Sequence, residues 1–221
     1  MEETMKKNLS LLAAFLVVGF CAAPASAADH YISGMAGISW MNEVDFEDND
    51  SSVDFSYEAD MSSGLALLGA VGCDYGDYRL EAEIGYQKND TSALTVNGLP
   101  FIPDMKGDGS VLSLMANAAY DIDLGGGVEF YPTVGIGIAQ VSFNDFQIAA
   151  LPQDYNFNET TLAYQIGAGL AVPIGSGVMI DARYRYFATT DFTVPATGLI
   201  VDGYEASVSS HSALLGLRVG F

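Results

Sequence analysis

The sequence predicts an all-β fold, an eight-stranded antiparallel up-and-down barrel with a polar lumen that crosses a membrane. Three observations lead there. Eight segments of about ten residues alternate apolar and polar side chains, a period that sends neighbours to opposite faces of a strand. The connections between them alternate between short glycine-bearing turns and stretches of about twenty residues, the pattern of short turns at one end and long loops at the other. One row of each strand is apolar throughout, while the opposite row mixes charges, amides and glycine.

The chain opens with "MEETMKKNLSLLAAFLVVGFCAAPASA", in which Lys6 and Lys7 precede an apolar run from Leu9 to Ala23 and then Ala25-Ser26-Ala27. That order of charge, apolar run and small residues is a secretory signal peptide. The expected organisation is a signal peptide over 1–27 and one barrel domain over 28–221. The other reading, a membrane anchor, meets a run that is short for a span of ~20 residues. Met5 is an alternative start. Cys21 raises lipidation, against which Phe20 is large for a lipoprotein box.

Eight basic residues face 28 acidic ones. Such a balance disfavours nucleic acid, whose phosphates need Lys and Arg. The leader removes two bases and two acids, so the net charge stays at −20. It also removes Cys21 and leaves Cys73 alone, so no intramolecular disulfide can staple the fold and something else must close it.

The segments lie near 30–41, 62–73, 78–87, 111–121, 128–140, 161–172, 178–188 and 211–221. No stretch reaches ~18 uninterrupted apolar residues, so no transmembrane helix is expected. "DYGD" (74–77), "IDLGGG" (122–127) and "PIGSG" (173–177) are the short turns; the stretches near 42–61, 88–110, 141–160 and 189–210 are the long connections.

The first of the charged strands, "YRLEAEIGY" (78–86), reads at first as a soluble strand with its charges in water. The other strands reverse that reading. Leu112, Leu114, Ala116, Ala118 and Tyr120 share one face against Ser113, Asn117 and Asp121. Val128, Phe130, Pro132, Val134, Ile136 and Ile138 stand against Glu129, Tyr131, Thr133 and small residues. Leu162, Tyr164, Ile166, Ala168, Leu170 and Val172 oppose Gln165, Gly167 and Gly169. Ile180, Ala182, Tyr184 and Tyr186 oppose Asp181, Arg183 and Arg185. Apolar-out and polar-in is the arrangement of a transmembrane barrel. The last strand, "HSALLGLRVGF", places Ala213, Leu215, Leu217, Val219 and Phe221 in one row and ends on phenylalanine.

Carried by "RLEAEIGY", "YPTVGIGIA", "DARYRYF" and the terminal "LLGLRVGF", the chain resembles the small eight-stranded bacterial outer-membrane barrels: the OmpA transmembrane domain, OmpX and the Opa-like surface proteins. The resemblance covers essentially all of 28–221. It implies a bacterial outer-membrane location with both termini in the periplasm and four long extracellular loops. It also implies a monomer in contact with outer-membrane lipid and lipopolysaccharide. In that setting Leu217, Val219 and Phe221 would form the C-terminal signal read by the barrel-assembly machinery.

Arg facing lipid costs ~2–4 kcal/mol at the midplane, so the arginines belong inside. The expected lumen network is Arg79, Glu81, Glu83, Asp181, Arg183, Arg185 and Arg218, with Asp121 and Glu129 nearer the periplasmic rim. An eight-stranded barrel is just wide enough for its own side chains. The network therefore reads as a plug, with a gated ion path through rearranging pairs as the alternative. Trp40, Tyr78, Tyr86, Tyr120, Phe130, Tyr164, Tyr184 and Tyr186 are the expected interface aromatics, near the two ends of the apolar band.

The first loop, 42–60, is acidic and without a base. Asp45, Glu47, Asp48, Asp50 and Asp54 lack the spacing and turn glycine of a twelve-residue calcium loop, so no metal and no cofactor are expected. The loops also hold apolar patches, "GLPFIP" (98–103), "FQIAALP" (146–152) and "GLIV" (198–201), which form a lid or mark a host-surface or ligand contact. The only histidines, His30 and His211, fall at opposite ends of their strands and cannot share a site, so no enzyme is expected. The reading is a surface barrel with a structural or envelope role and loop-mediated interaction, as an adhesin or surface antigen. A narrow porin-like channel or conduit for small apolar molecules is the alternative. A soluble periplasmic ligand-binding barrel would want an apolar lumen, against which Arg183 and Arg185 stand.

Overall fold

The computed structural model describes residues 29–42, 44–48, 57–96, 99–103, 106–147, 155–194 and 204–221; the expected leader lies outside them. Every regular element among these is a strand: β1 (Asp29–Met41), β2 (Val44–Asp48), β3 (Tyr57–Met61), β4 (Gly64–Asp74), β5 (Tyr78–Val96), β6 (Leu99–Pro103) and β7 (Lys106–Tyr120) come first. β8 (Ile122–Asp123), β9 (Glu129–Gln147), β10 (Tyr155–Gly175), β11 (Val178–Thr189), β12 (Phe192–Val194), β13 (Tyr204–Ala206) and β14 (Ser209–Gly220) complete them. No described helix is long and apolar enough to cross a membrane.

Eight of the strands make the barrel. β1, β4, β5, β7, β9, β10, β11 and β14 pair antiparallel in that order. β14 then returns to β1 along eleven residue pairs, from Tyr31 opposite Gly220 to Met41 opposite Ser210. Closure leaves no sheet edge, which is what a strand-built membrane protein requires. The eight segments read from the sequence fall in these eight strands.

The connections sort as expected at one end. Three tight turns join β4 to β5, β7 to β9 and β10 to β11, and the start of β1 and the end of β14 lie at the same end. Gly125, Gly126 and Gly127 all have positive φ (96°, 68° and 77°), which a side chain would resist, so the run of three glycines sets that turn. At the other end the strands outrun the expectation. β5 continues to Val96 and β7 starts at Lys106, while β9 reaches Gln147 and β10 starts at Tyr155. The stretches near 88–110 and 141–160 are therefore mostly strand. Beyond the lipid no apolar row is needed, so the period-2 signal fades while the backbone still pairs.

Past that level the small strands widen the rim. β3 replaces β4 as the partner of β5 from Thr91 onward, and β6 pairs its other edge. β2 joins β3, β13 joins β2 and β12 joins β13. The acidic first loop thus supplies two strands, and its register sets Asp45 opposite Glu58 and Glu47 opposite Glu205.

The interior differs from an all-polar lumen. Toward the loop end Met41, Val111, Met115, Val141, Phe143, Phe187, Phe192 and Val208 pack into one apolar cluster, with Ala139, Ala163 and Ala206. Val111 and Met115 share the inward row of Ser113 and Asn117, and Val141 and Phe143 continue the row of Tyr131 and Thr133. Apolar side chains fill this tier because they need no hydrogen-bond partners when shut away from water.

Candidate functional site

Below the apolar tier, the seven residues expected as a lumen network all point inward and are buried. Arg79 and Asp181 are fully covered, and Glu81 and Glu83 keep 1% of their surface. The strand period brings them there. Arg79, Glu81 and Glu83 occupy alternate positions of β5, Asp181, Arg183 and Arg185 alternate positions of β11, and Arg218 the inward row of β14. Tyr78, Leu80, Ala82, Ile84 and Tyr86 face outward.

The centre is a set of shared carboxylates. The Arg183 guanidinium lies 3.3 Å from Glu81 and 3.1 Å from Glu83, and Arg185 lies 3.5 Å from Glu83. Asn117 donates to Glu83 at 3.0 Å; Gln165 donates to Glu83 at 3.2 Å and to Asn117 Oδ1 at 2.7 Å. Nearer the turns, Arg79 Nε donates to Asp121 at 2.7 Å, and the same guanidinium lies 3.6 Å from Glu81. Arg218 donates to Glu129 at 2.6 Å and approaches Asp181 at 4.0 Å. Removing charge from water is costly unless each ion is paired and hydrogen-bonded, and every charge here has an opposite neighbour.

Two tyrosines brace this layer, and the sequence reading passed over their role. Tyr31 donates its hydroxyl to Glu81 at 2.8 Å, and Tyr131 donates to Asp181. The Arg79 guanidinium lies 4.6 Å from the Tyr131 ring centroid, within cation–π range. Each ring lies over a glycine of the next strand. A Cβ at Gly72 or Gly169 would sit 2.3 Å from the Tyr31 or Tyr131 ring. The signal available in the sequence was Tyr31 on the inward row of β1, two residues before Ser33. Above the ions, Gln87 and Ser210 bond at 3.1 Å, and Ser39 donates to Asn89 at 2.8 Å.

The remaining candidates sit on the outside or the rims. Trp40, Tyr78, Tyr86, Tyr120, Phe130, Tyr164 and Tyr184 are exposed on the outer face, as is Phe221, while Tyr186 is half-buried there. Leu217 and Val219 lie on the same outer row of β14. Trp40 stands opposite His211, and His211 opposite Tyr186. His211 Nδ1 meets the Tyr184 hydroxyl at 2.6 Å, and Ser209 accepts from Asn42 at 2.8 Å. His30 lies at the other end of β1, 3.5 Å from Cys73 and beside Phe221. Among the described residues no cluster of three metal-ligating side chains occurs. The side chains of Asp45, Glu47, Asp48, Asp50 and Asp54, and of the apolar patches at 98–103, 146–152 and 198–201, lie outside what is described.

Comparison with known proteins agrees with this architecture. No curated protein sequence matches the chain. Among solved structures the chain is similar to Neisserial surface protein A, with a TM-score of 0.54, 19% identity, and 87% of this chain and 97% of that chain covered. It is similar to the outer membrane protein OprG from Pseudomonas aeruginosa, with a TM-score of 0.52, 15% identity, and 88% and 96% covered. The outer membrane protease OmpT from Escherichia coli shares the fold at a TM-score of 0.57 and 8% identity, with 90% and 99% covered. The family model for the outer membrane protein β-barrel domain matches residues 13–221. The chain therefore belongs to the outer-membrane β-barrel protein family.

Proposed function

We propose that this protein is a closed surface barrel: a monomer with both termini in the periplasm, its interior a plug and its interactions made by the extracellular rim, as an adhesin or surface antigen. What supports the reading is the run of buried side chains at successive levels of the interior. Buried ion pairs occupy the middle and turn-end levels, and the apolar tier with Phe143 and Phe187 occupies the level above. An ion meeting the second tier would trade its hydration for hydrocarbon and uncharged polar groups such as Gln87 and Ser210. Chemistry then belongs to the rim strands, where β2 and β3 carry the acidic residues of the first loop. Contact with lipopolysaccharide fits such a rim, as does a host surface.

The test is a pair of measurements, one on the purified full chain and one on cells that display it. Planar bilayers should stay silent, and cells displaying the protein should lose surface binding when the segments 49–56, 148–154 or 195–203 are shortened singly. Steady single-channel conductance would overturn the plug. Binding unchanged by every loop deletion would overturn the rim as the working surface.

A second reading rests on the apolar tier itself. Met41, Val141, Phe143 and Phe187 are the chemistry that a conduit for small apolar molecules would present. Uptake of an apolar solute into vesicles containing the protein, above protein-free vesicles, would favour it.

A further inference from the structure

The two halves of the barrel share one register and carry opposite charges. The first half is β1, β4, β5 and β7; the second is β9, β10, β11 and β14. In the first, Tyr31 stands opposite Gly72, Gly72 opposite Glu81 and Glu81 opposite Asn117. In the second, Tyr131 stands opposite Gly169, Gly169 opposite Arg183 and Arg183 opposite Leu214. A half-turn about the barrel axis therefore carries Tyr31 to Tyr131, Gly72 to Gly169 and Glu81 to Arg183. Continuing along the same strands, Arg79 goes to Asp181, Glu83 to Arg185 and Asp121 to Arg218. These four charged positions invert, whereas Glu129 goes to Asp29, an acid in both halves. At the seams between halves the ladders differ by two residues: Ala119 meets Thr133, while Gly216 meets Met35 rather than Ser33. An even slip leaves every side chain on its own face.

The hydrogen bonds invert with the charges. Tyr31 donates to Glu81 at 2.8 Å and accepts from Arg79 at 3.5 Å. Tyr131 donates to Asp181 and accepts from Arg183 Nε at 3.2 Å. Each hydroxyl has one acid and one base, and the half-turn exchanges which position supplies which. Both rings lie over the equivalent glycines. Two copies of one architecture are thus finished with complementary chemistry. At these positions the first half has one base and three acids, and the second one acid and three bases.

We propose that the inner face of each half-barrel is an interaction surface fitted to the other half, and that the inversion makes each half reject a copy of itself. The contacts across the lumen are the heterotypic ones: Arg183 to Glu81 and Glu83, and Arg185 to Glu83. At these four positions two first halves would set six carboxylates against two arginines, and two second halves six arginines against two carboxylates, with the Glu129 of each copy beside its Arg218. Like charges shut away from water with no partner oppose assembly. The occupant that fits the first half is a face rich in guanidinium groups on alternate positions of one strand, as β11 presents.

The test exchanges charge between halves in the full chain, refolded into detergent micelles and read by the mobility of unheated against heated samples. E81R/E83R and R183E/R185E each make the central layer homotypic and should lose the folded band. The combined chain E81R/E83R/R183E/R185E restores opposite charge across the central layer, with Arg79, Asp121, Asp181 and Arg218 left in place, and should recover it. The smaller exchange E83R/R185E, set against E83R and R185E alone, gives a second reading with less disturbance. Recovery of the folded band in either exchange supports the inversion. Recovery in neither overturns it, as does a wild-type folded fraction in either homotypic double variant.

Discussion

Glu81→Gln is the sharpest perturbation of the interior, because it removes one charge and almost no volume. Glu81 is 1% exposed. It accepts from Tyr31 at 2.8 Å and faces two cations, Arg183 at 3.3 Å and Arg79 at 3.6 Å. Arg183 keeps Glu83, and Arg79 keeps Asp121. The substitution therefore leaves two arginines under-compensated rather than orphaned. Breaking a buried pair from one side costs ~3–5 kcal/mol, and the retained partners place this case at the lower end, ~3 kcal/mol. That is about a hundredfold in the folding equilibrium. Urea unfolding of the barrel in lipid vesicles, followed by Trp40 fluorescence, measures it as a shift of midpoint at unchanged slope. Arg183→Gln alone should cost a similar amount, and the double variant less than the two together, since both remove one interaction. A Glu81→Gln loss below ~0.5 kcal/mol, or strict additivity in the double variant, would refute the view that paired charge holds the layer together.

Other expectations follow from the same geometry. Lys88 and Asp108 pair at 3.3 Å, but Lys88 is 46% exposed, so Lys88→Ala should cost under ~1 kcal/mol in the same urea assay. Gly169→Ala would drive a methyl to 2.3 Å from the Tyr131 ring, whereas nothing lies within 4 Å of a Cβ at Gly34. The first should abolish the heat-modifiable folded band, and Gly34→Ala should keep it. Phe187→Ala empties the centre of the apolar tier and should cost ~3–5 kcal/mol by urea unfolding. Ile136 is 68% exposed on the lipid face; Ile136→Arg should cost ~2–4 kcal/mol, and Ile136→Leu should be near neutral in vesicle refolding.

The sequence made the barrel legible because lipid imposes a strict rule on one face. Where Leu162, Tyr164, Ile166, Ala168 and Leu170 must all be apolar, the period is unmistakable and the inward row follows by parity. Glu81, Glu83, Arg183 and Arg185 could be assigned to the inside on that ground alone. Parity does not say which acid meets which base. The pairing of Arg79 with Asp121 on the next strand depends on register, and register depends on where each ladder begins. The apolar tier was hidden for a related reason. Parity puts Val111, Met115, Val141 and Phe143 on the inward rows of β7 and β9, but it does not say that they meet one another and Phe187 in one cluster, which again depends on register. The rim strands β2, β3 and β13 carry no such constraint at all, and the acidic stretch that forms two of them reads as loop.

The order of the two interior tiers follows from what each can tolerate. Charged groups in the lumen are stable only where partners reach them from several strands, and the glycines supply the room. Gly169 makes way for the Tyr131 ring, and at Gly135 a Cβ would come within 2.0 Å of Asn117 Oδ1. The long side chains of β5 and β11 can therefore cross the lumen and meet. Toward the loop end this gives way to Ala139, Val141 and Phe143 on β9 and to Phe187 on β11. Uncharged polar groups persist at this height, where Gln87 stands opposite Val111 and Ser210 opposite Phe187. The change is thus from ion pairs to amides and hydroxyls set among hydrocarbon. On the proposed plug, the two tiers would act as unlike barriers in series. Opening either alone leaves the other in place, so Glu81→Gln and Phe187→Ala should each weaken the fold while bilayers containing either variant remain electrically silent.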